Sequence, residues 1–116
     1  MPITPEQLAA SGTEHGHQCA LFCWANQSLD KYPQLKYMFG VPNGFFANPA
    51  QKAKMKAEGL KNGVPDIWLP VKKYKLGYVS CPGLVIELKV KNNKATDEQD
   101  DWLKFLSSQG YQDQIN

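Results

Sequence analysis

Two carboxylates and one ammonium stand in this sequence where strands seldom carry charge. Asp66 follows Val64-Pro65 and opens an apolar run, and Glu87 and Lys89 lie inside LVIELKV, residues 84–90, a stretch otherwise apolar enough to be buried. A charge in such a strand is costly unless it is paired or metal-bound. Residues at i and i+2 leave the same face of a strand, so Glu87 and Lys89 project together while Leu88 points to the core. If the runs at 67–71 and 84–90 pair as an antiparallel hairpin with a long loop, Asp66 joins them. Two carboxylates and a backbone carbonyl suit a hard divalent cation such as Mg²⁺. Such a cation polarises a phosphate and lowers the pKa of a bound water, while the lysine positions the nucleophile or balances charge. Phosphodiester hydrolysis is the natural reaction. The plainer alternative is a Glu87–Lys89 ion pair on an exposed edge strand, worth little.

The elements that must position these groups read in the order α, β, α, β, β, α. Thr4-Pro5-Glu6-Gln7 has the spacing of a capping box with Pro at the first helical position, and Gly12 ends or kinks that helix. Ser11-x-x-Glu14 repeats the capping spacing and predicts a longer helix over 13–30, with Ala20, Leu21, Trp24, Ser28 and Leu29 at helical period. LKYMFGV, residues 35–41, sits between Pro33 and Pro42 and reads as a strand, with Pro42-Asn43-Gly44 a turn after it. Asn48-Pro49 caps a Lys-rich helix that Gly59 stops. Thr96-x-x-Gln99 opens a last helix whose apolar stripe is Trp102, Leu103, Phe105 and Leu106, with Gly110 closing it.

Length and composition limit the classes available. A chain of 116 residues with 42% apolar content supports one domain, expected over residues 1–116. No run of about 18 apolar residues occurs, and the opening MPITPEQLAASGTEHGHQ is too polar for a signal-peptide core. A soluble, intracellular protein without membrane contact is expected. Three cysteines without regular spacing make no disulfide framework.

The net charge of +2 conceals a segregation: residues 1–30 carry −3, residues 31–94 carry +9 and residues 95–116 carry −4. A basic middle between acidic ends points to a polyanionic partner, or else to a solvated lysine face. All 13 basic residues are lysine. Because bidentate arginine is the commonest specific contact to guanine, a nucleic acid held here is held by backbone charge and shape, which also counts against a site-specific restriction-type nuclease.

Pro65-Asp66 followed some twenty residues on by Glu87-Leu88-Lys89 is the PD-(D/E)XK pattern, weak by itself. Further blocks accompany it: Glu14-x-x-x-Gln18, Pro42-Asn43-Gly44, Glu58-Gly59-x-Lys61-x-Gly63-Val64-Pro65-Asp66, Gly83-Leu84-x-Ile86-Glu87-Leu88-Lys89-Val90 and Glu98-Gln99-x-x-Trp102-Leu103 before Gly110-Tyr111. In this order they resemble the VRR-NUC family of the PD-(D/E)XK nuclease superfamily over roughly residues 13–111. The resemblance implies an α/β fold with a restriction-endonuclease-like core, a small mixed sheet flanked by helices. It also implies a Mg²⁺- or Mn²⁺-dependent endonuclease. Carried over by position, Asp66, Glu87 and the Leu88 carbonyl are the metal ligands, Lys89 the catalytic lysine, Glu14 a further acid near the metal and Gln99 a supporting polar residue. Stand-alone members of the family resemble homodimers acting on branched DNA such as Holliday junctions, in the cytoplasm of bacteria or of phage-infected cells. Family members continue after Gly-Tyr with a strand and a short helix, whereas only residues 112–116 follow here, so a shortened C-terminal end and an incomplete sheet edge are expected.

Several residues keep two readings. Glu14 is a capping acid, a site acid or both, and Gln99 caps the last helix, serves the site or both. His15, Cys19 and Cys23 recur at four-residue spacing on one helix face, but zinc needs a fourth ligand and core thiols read better. Lys52, Lys54, Lys56, Lys61, Lys72, Lys73 and Lys75, with Trp68, Tyr74 and Tyr78 interleaved, are candidate phosphate contacts; the alternative is an ordinary lysine surface. Trp24 and Trp102 have core spacing. A non-catalytic nucleic-acid-binding module with the nuclease fold is the alternative function, disfavoured by the intact Asp66, Glu87 and Lys89.

Overall fold

The computed structural model describes residues 4–10, 12–41, 48–89 and 94–115. Among the described residues four α-helices and six strands follow in the order α1 (Pro5–Ala9), α2 (Glu14–Gln27), β1 (Phe39–Gly40), α3 (Pro49–Ala57), β2 (Ile67–Leu69), β3 (Lys73–Lys75), β4 (Tyr78–Cys81), β5 (Leu84–Glu87), α4 (Asp97–Ser108) and β6 (Gln112–Ile115). A four-stranded mixed sheet runs β1-β2-β5-β6, and β3 with β4 forms a separate two-stranded ribbon. β2 pairs antiparallel with both β1 and β5, while β6 lies parallel to β5. The parallel step needs a crossover, which α4 supplies.

Strand alternation divides the β2–β5 pair between two cores. Ile67 and Leu88 join Ala25 and Met38, with Leu21, Phe22, Leu35, Leu69 and Ile86 around them, on the side of α2. Val85 joins Leu103 and Leu106, with Trp68, Trp102 and Tyr111 around them, on the side of α4. By the same period of two, Asp66, Glu87 and Lys89 belong to the α4 side. The sheet is a layer between helices, and the charged residues sit at its end rather than on its outer edge.

Local signals account for the helix starts. Thr4 and Thr96 each close a complete capping box, with Gln7 and Gln99 as the returning side chains. Asn48 caps α3 ahead of Pro49, and Glu58-Gly59 ends it with Gly59 at φ +106°. At α2 the cap is Thr13, whose side chain accepts from the Gly16 amide. This corrects the Ser11 capping box, since Glu14 is the first helical residue; Ser11 itself lies outside the described residues.

The strand expected over 35–41 is instead a 3₁₀ turn, Pro33–Tyr37, followed by the two residues of β1. Pro33 fixes helical φ at the start of the turn, and Leu35 is carried into the α2-side core while Tyr37 and Phe39 stay exposed. The turn at Pro42-Asn43-Gly44 lies outside the described residues. β2 ends at Leu69 and β5 at Glu87, shorter than the expected 67–71 and 84–90, and the connection between them contains the unforeseen β3–β4 ribbon. Residues 112–115, expected to leave the sheet edge incomplete, form β6 along β5. Trp24 is 42% exposed, against a tilted Tyr32 ring, and Phe105 is 58% exposed; neither is core. Trp68 is the reverse case, since its ring packs edge-on to Tyr111 at 5.9 Å beneath α4 rather than on the lysine surface.

Candidate active site

Asp66 precedes β2 and Glu87 ends β5, and the antiparallel register Ile67 to Ile86 makes them neighbours across the strand pair. The Leu88 amide donates to Asp66 Oδ2 at 2.9 Å, which holds that carboxylate against the end of β5. Glu87 is 1% exposed, on an inner strand, so the exposed-edge alternative does not apply. Its Oε1 accepts from Gln99 Nε2 at 2.6 Å and stands 3.9 Å from Lys89 Nζ. Its Oε2 is buried and receives no donor from the described residues.

A buried carboxylate beside a second carboxylate resists ionisation. Burial first, and the Asp66 charge next, push the Glu87 carboxyl from 4.5 up to about 7 against the pull of Lys89, with Glu14 adding a smaller upward push. Asp66 is within hydrogen-bonding reach of Glu87, and two ionised carboxylates facing each other can only accept. A shared proton satisfies them, and so does a divalent cation. The donor set therefore fits a hard metal: two carboxylates, one of them with an orphaned buried oxygen, and the Leu88 carbonyl in the same segment. Among the described residues no three His, Cys, Asp or Glu side chains converge. The remaining positions around a Mg²⁺ would fall to water and substrate oxygens, as that ion readily accepts.

Each partner is delivered by a local cause. Gln99 is the third residue of α4, so the capping box that fixes the helix start also fixes the residue that reaches Glu87. Gly63 brings the Pro65-Asp66 segment against that same turn. It has φ +81°, and a Cβ there would lie 2.6 Å from the Glu98 carbonyl carbon. Trp102 Nε1 donates to the Asn62 carbonyl at 3.0 Å and ties the two segments again. The motif containing Gly63 does not by itself disclose this role; the available signal is a glycine two residues before Pro65-Asp66. Gln18, another motif residue without an expected role, packs its amide against Gly40, where a Cβ would meet it at 2.6 Å, next to the Asp66 carbonyl that accepts from Val41.

The other expected residues are dispersed. Glu14 is half-buried at the first turn of α2, near enough to act on the charge of Glu87. Lys52, Lys54 and Lys56 are exposed on α3, and Lys61 is exposed after it. Lys56 and Lys61 share a cleft with Asp97, Glu98 and Asp101 of α4, so acidic groups face these two. Lys72, Lys73 and Lys75 are exposed on the ribbon and at its entry, in a stretch of chain without acids. On α2, His15 Nε2 lies 3.5 Å from Cys19 Sγ, and none of the three half-buried cysteines is in a disulfide.

The VRR-NUC domain model matches residues 8–115. A solved structure described as a "VRR_NUC domain protein" superposes with a TM-score of 0.61, over 99% of this chain and 78% of that one, at 22% identity. At that identity the likeness is one of fold. No curated protein matches the sequence, and among the described residues no helix is long and apolar enough to cross a membrane. With a matched family model over almost the whole length and the same fold in a solved relative, the chain belongs to the VRR-NUC domain family, a family of nuclease type.

Proposed function

We propose that this protein is a Mg²⁺- or Mn²⁺-dependent DNA endonuclease that acts on branched DNA such as a four-way junction, as a homodimer. The observation that carries the reading is the convergence of Asp66, Glu87 and Lys89 at one end of the β2–β5 pair, with a buried Glu87 oxygen that no donor among the described residues reaches.

Asp66, Glu87 and the Leu88 carbonyl would hold the cation, which when bound polarises the scissile phosphate and lowers the pKa of the attacking water. Gln99 pins Glu87 Oε1 and leaves the buried Oε2 without a donor among the described residues. The Leu88 amide fixes Asp66 in place. Lys89, whose side chain is 14% exposed, sets a positive charge beside the site, where it offsets charge building on the phosphate oxygens in the transition state. Glu14 adds negative charge at the same end. The exposed lysines supply attraction for phosphates without reading sequence, in keeping with a chain that has no arginine.

A domain of 13.0 kDa offers little surface to span a four-way junction, and two copies about a two-fold axis suit two symmetric incisions. The test is cleavage of labelled four-way junction, flap, single-stranded and linear duplex DNA with Mg²⁺, Mn²⁺ or EDTA, alongside the solution mass. Cutting that needs metal and favours the junction, from a particle of two chains, is expected. Salt-sensitive binding without cutting under any metal would overturn the enzymatic reading in favour of a non-catalytic binding module.

A further inference from the structure

The β3–β4 ribbon is chemically unlike the rest of the chain. Every residue from 72 to 80 is exposed, so neither face of the ribbon is covered by the fold, and an uncovered two-stranded ribbon is marginal in water. Yet it carries large apolar groups: Tyr74 is 60% exposed, Tyr78 79% and Leu76 90%. Lys72, Lys73 and Lys75 stand among them, and no acid occurs between Asp66 and Glu87. Tyr74 pairs across with Val79 and Lys75 with Tyr78, so each face offers a ring together with aliphatic or charged surface. The Lys72 ammonium lies 5.9 Å from the Tyr74 ring centre.

The turn is the oddest point. Leu76 at φ +54° and Gly77 at φ +82° have the two positive φ values of a type I′ turn, where asparagine before glycine is the favoured pair. Leucine there bears backbone strain as well as full exposure. The fold leaves its side chain almost wholly in water.

We propose that the ribbon is a second DNA-binding element, separate from the carboxylate site, and that it recognises the branch point, a role that rests on the branched-DNA part of the reading above. Lys72, Lys73 and Lys75 meet phosphates. Leu76, flanked by Tyr74 and Tyr78, packs against bases left unstacked where duplex arms diverge, since apolar wedges and aromatic rings are what partly unstacked bases accept. Unlike a continuous duplex, a junction offers such faces without first breaking a stack. Reach is compatible: ten residues from Asp66 to Leu76 span at most about 33 Å of extended chain, close to one turn of B-DNA at about 34 Å. Charge disfavours a second copy along the β3 edge, where Lys73 and Lys75 would meet like lysines.

The test is binding by fluorescence anisotropy in EDTA, where no cutting occurs, with a labelled four-way junction and a linear duplex of the same arm sequence. Leu76→Asn suits the turn and leaves the charge alone. Its thermal midpoint is expected to hold or rise, its junction affinity to fall about tenfold and its duplex affinity to stay within about twofold. Exchanging Lys72, Lys73 and Lys75 together for glutamine is expected to weaken binding to both DNAs and to lower the salt dependence by about 0.9 for each phosphate no longer neutralised. Wild-type affinity for both DNAs in all variants would overturn the ribbon's role while leaving the nuclease reading intact. A loss of dimer mass by light scattering in Leu76→Asn, without DNA, would make a second copy the occupant and also overturn it. Conversely, a wild-type protein that binds the junction through the ribbon but cuts nothing with Mg²⁺ or Mn²⁺ would sink the nuclease reading and keep the ribbon as a binding element. A protein binding neither DNA overturns both.

Discussion

The strand pair β2 and β5 ends in two unlike ways. At one end Asp66, Glu87 and Lys89 converge, with Glu87 buried and held by Gln99 of α4. At the other the chain leaves the sheet and runs out as the β3–β4 ribbon, exposed over almost its whole length. Burial at the first end raises the cost of charge until something shares it, which is what a cation site requires. Exposure at the second leaves rings and lysines available to a large, shallow partner but gives them no leverage over bond-breaking. One pair of strands thus supports two kinds of chemistry because their two ends differ in access to water.

Substitutions at the two ends should separate them. The largest effect is expected from Asp66→Asn, which keeps an acceptor for the Leu88 amide but removes a ligand charge. Cleavage should fall by about 10³-fold or more while the circular-dichroism spectrum is unchanged, whereas no ribbon substitution should reduce cleavage that far. Next comes aliphatic truncation. Leu103→Ala, in the core beneath the site, should cost about 2–5 kcal/mol in urea unfolding; Val79→Ala, on the ribbon, should stay within about 0.5 kcal/mol.

The pH dependence follows third. The Glu87 carboxyl lies near 7 when folded, above its ordinary 4.5, so the folded state binds the extra proton between these values. Its contribution is fully present below about 4.5 and is lost as pH rises through about 7. Metal-free protein should therefore lose stability over that window, by at most about 3 kcal/mol. Glu87→Gln should flatten the dependence, and Mg²⁺ or Mn²⁺ should restore stability above about pH 7, both read from thermal midpoints. The smallest effect is at the turn: Leu76→Asn should raise unfolding stability by about 1 kcal/mol or less, the only substitution of the set expected to stabilise.

Much of the site end was legible because its signals are local or periodic. Thr4-x-x-Gln7, Asn48-Pro49 and Thr96-x-x-Gln99 each name a helix start, and the period of two placed Glu87 with Lys89 and Leu88 opposite. The ordered motif blocks located the family. What escaped depended on contacts that spacing does not encode. Thr13 rather than Ser11 caps α2, a choice between nearby hydroxyls that tertiary placement makes. The run 35–41 looked extended from its aromatics, yet Pro33 and the burial of Leu35 favour a 3₁₀ turn. The ribbon hid in a connection because its turn is Leu-Gly rather than Asn-Gly. Gln112–Ile115 is polar and short, and only the parallel partner β5 shows it to be a strand. Trp24 and Phe105 had helical core spacing, but the cores on the two sides of the sheet are filled by Ala25, Leu103 and Leu106 without them.

The most direct test of the central claim is cleavage of a labelled four-way junction in Mg²⁺ by the wild-type chain beside Lys89→Ala, under excess enzyme so that binding does not limit the rate. Wild type should cut only with metal present. Lys89→Ala should bind the junction with near wild-type affinity yet cut it about 10²–10³-fold more slowly. Equal rates for the two proteins, or cutting that persists in EDTA, would contradict the assignment of chemistry to the Asp66–Glu87–Lys89 cluster.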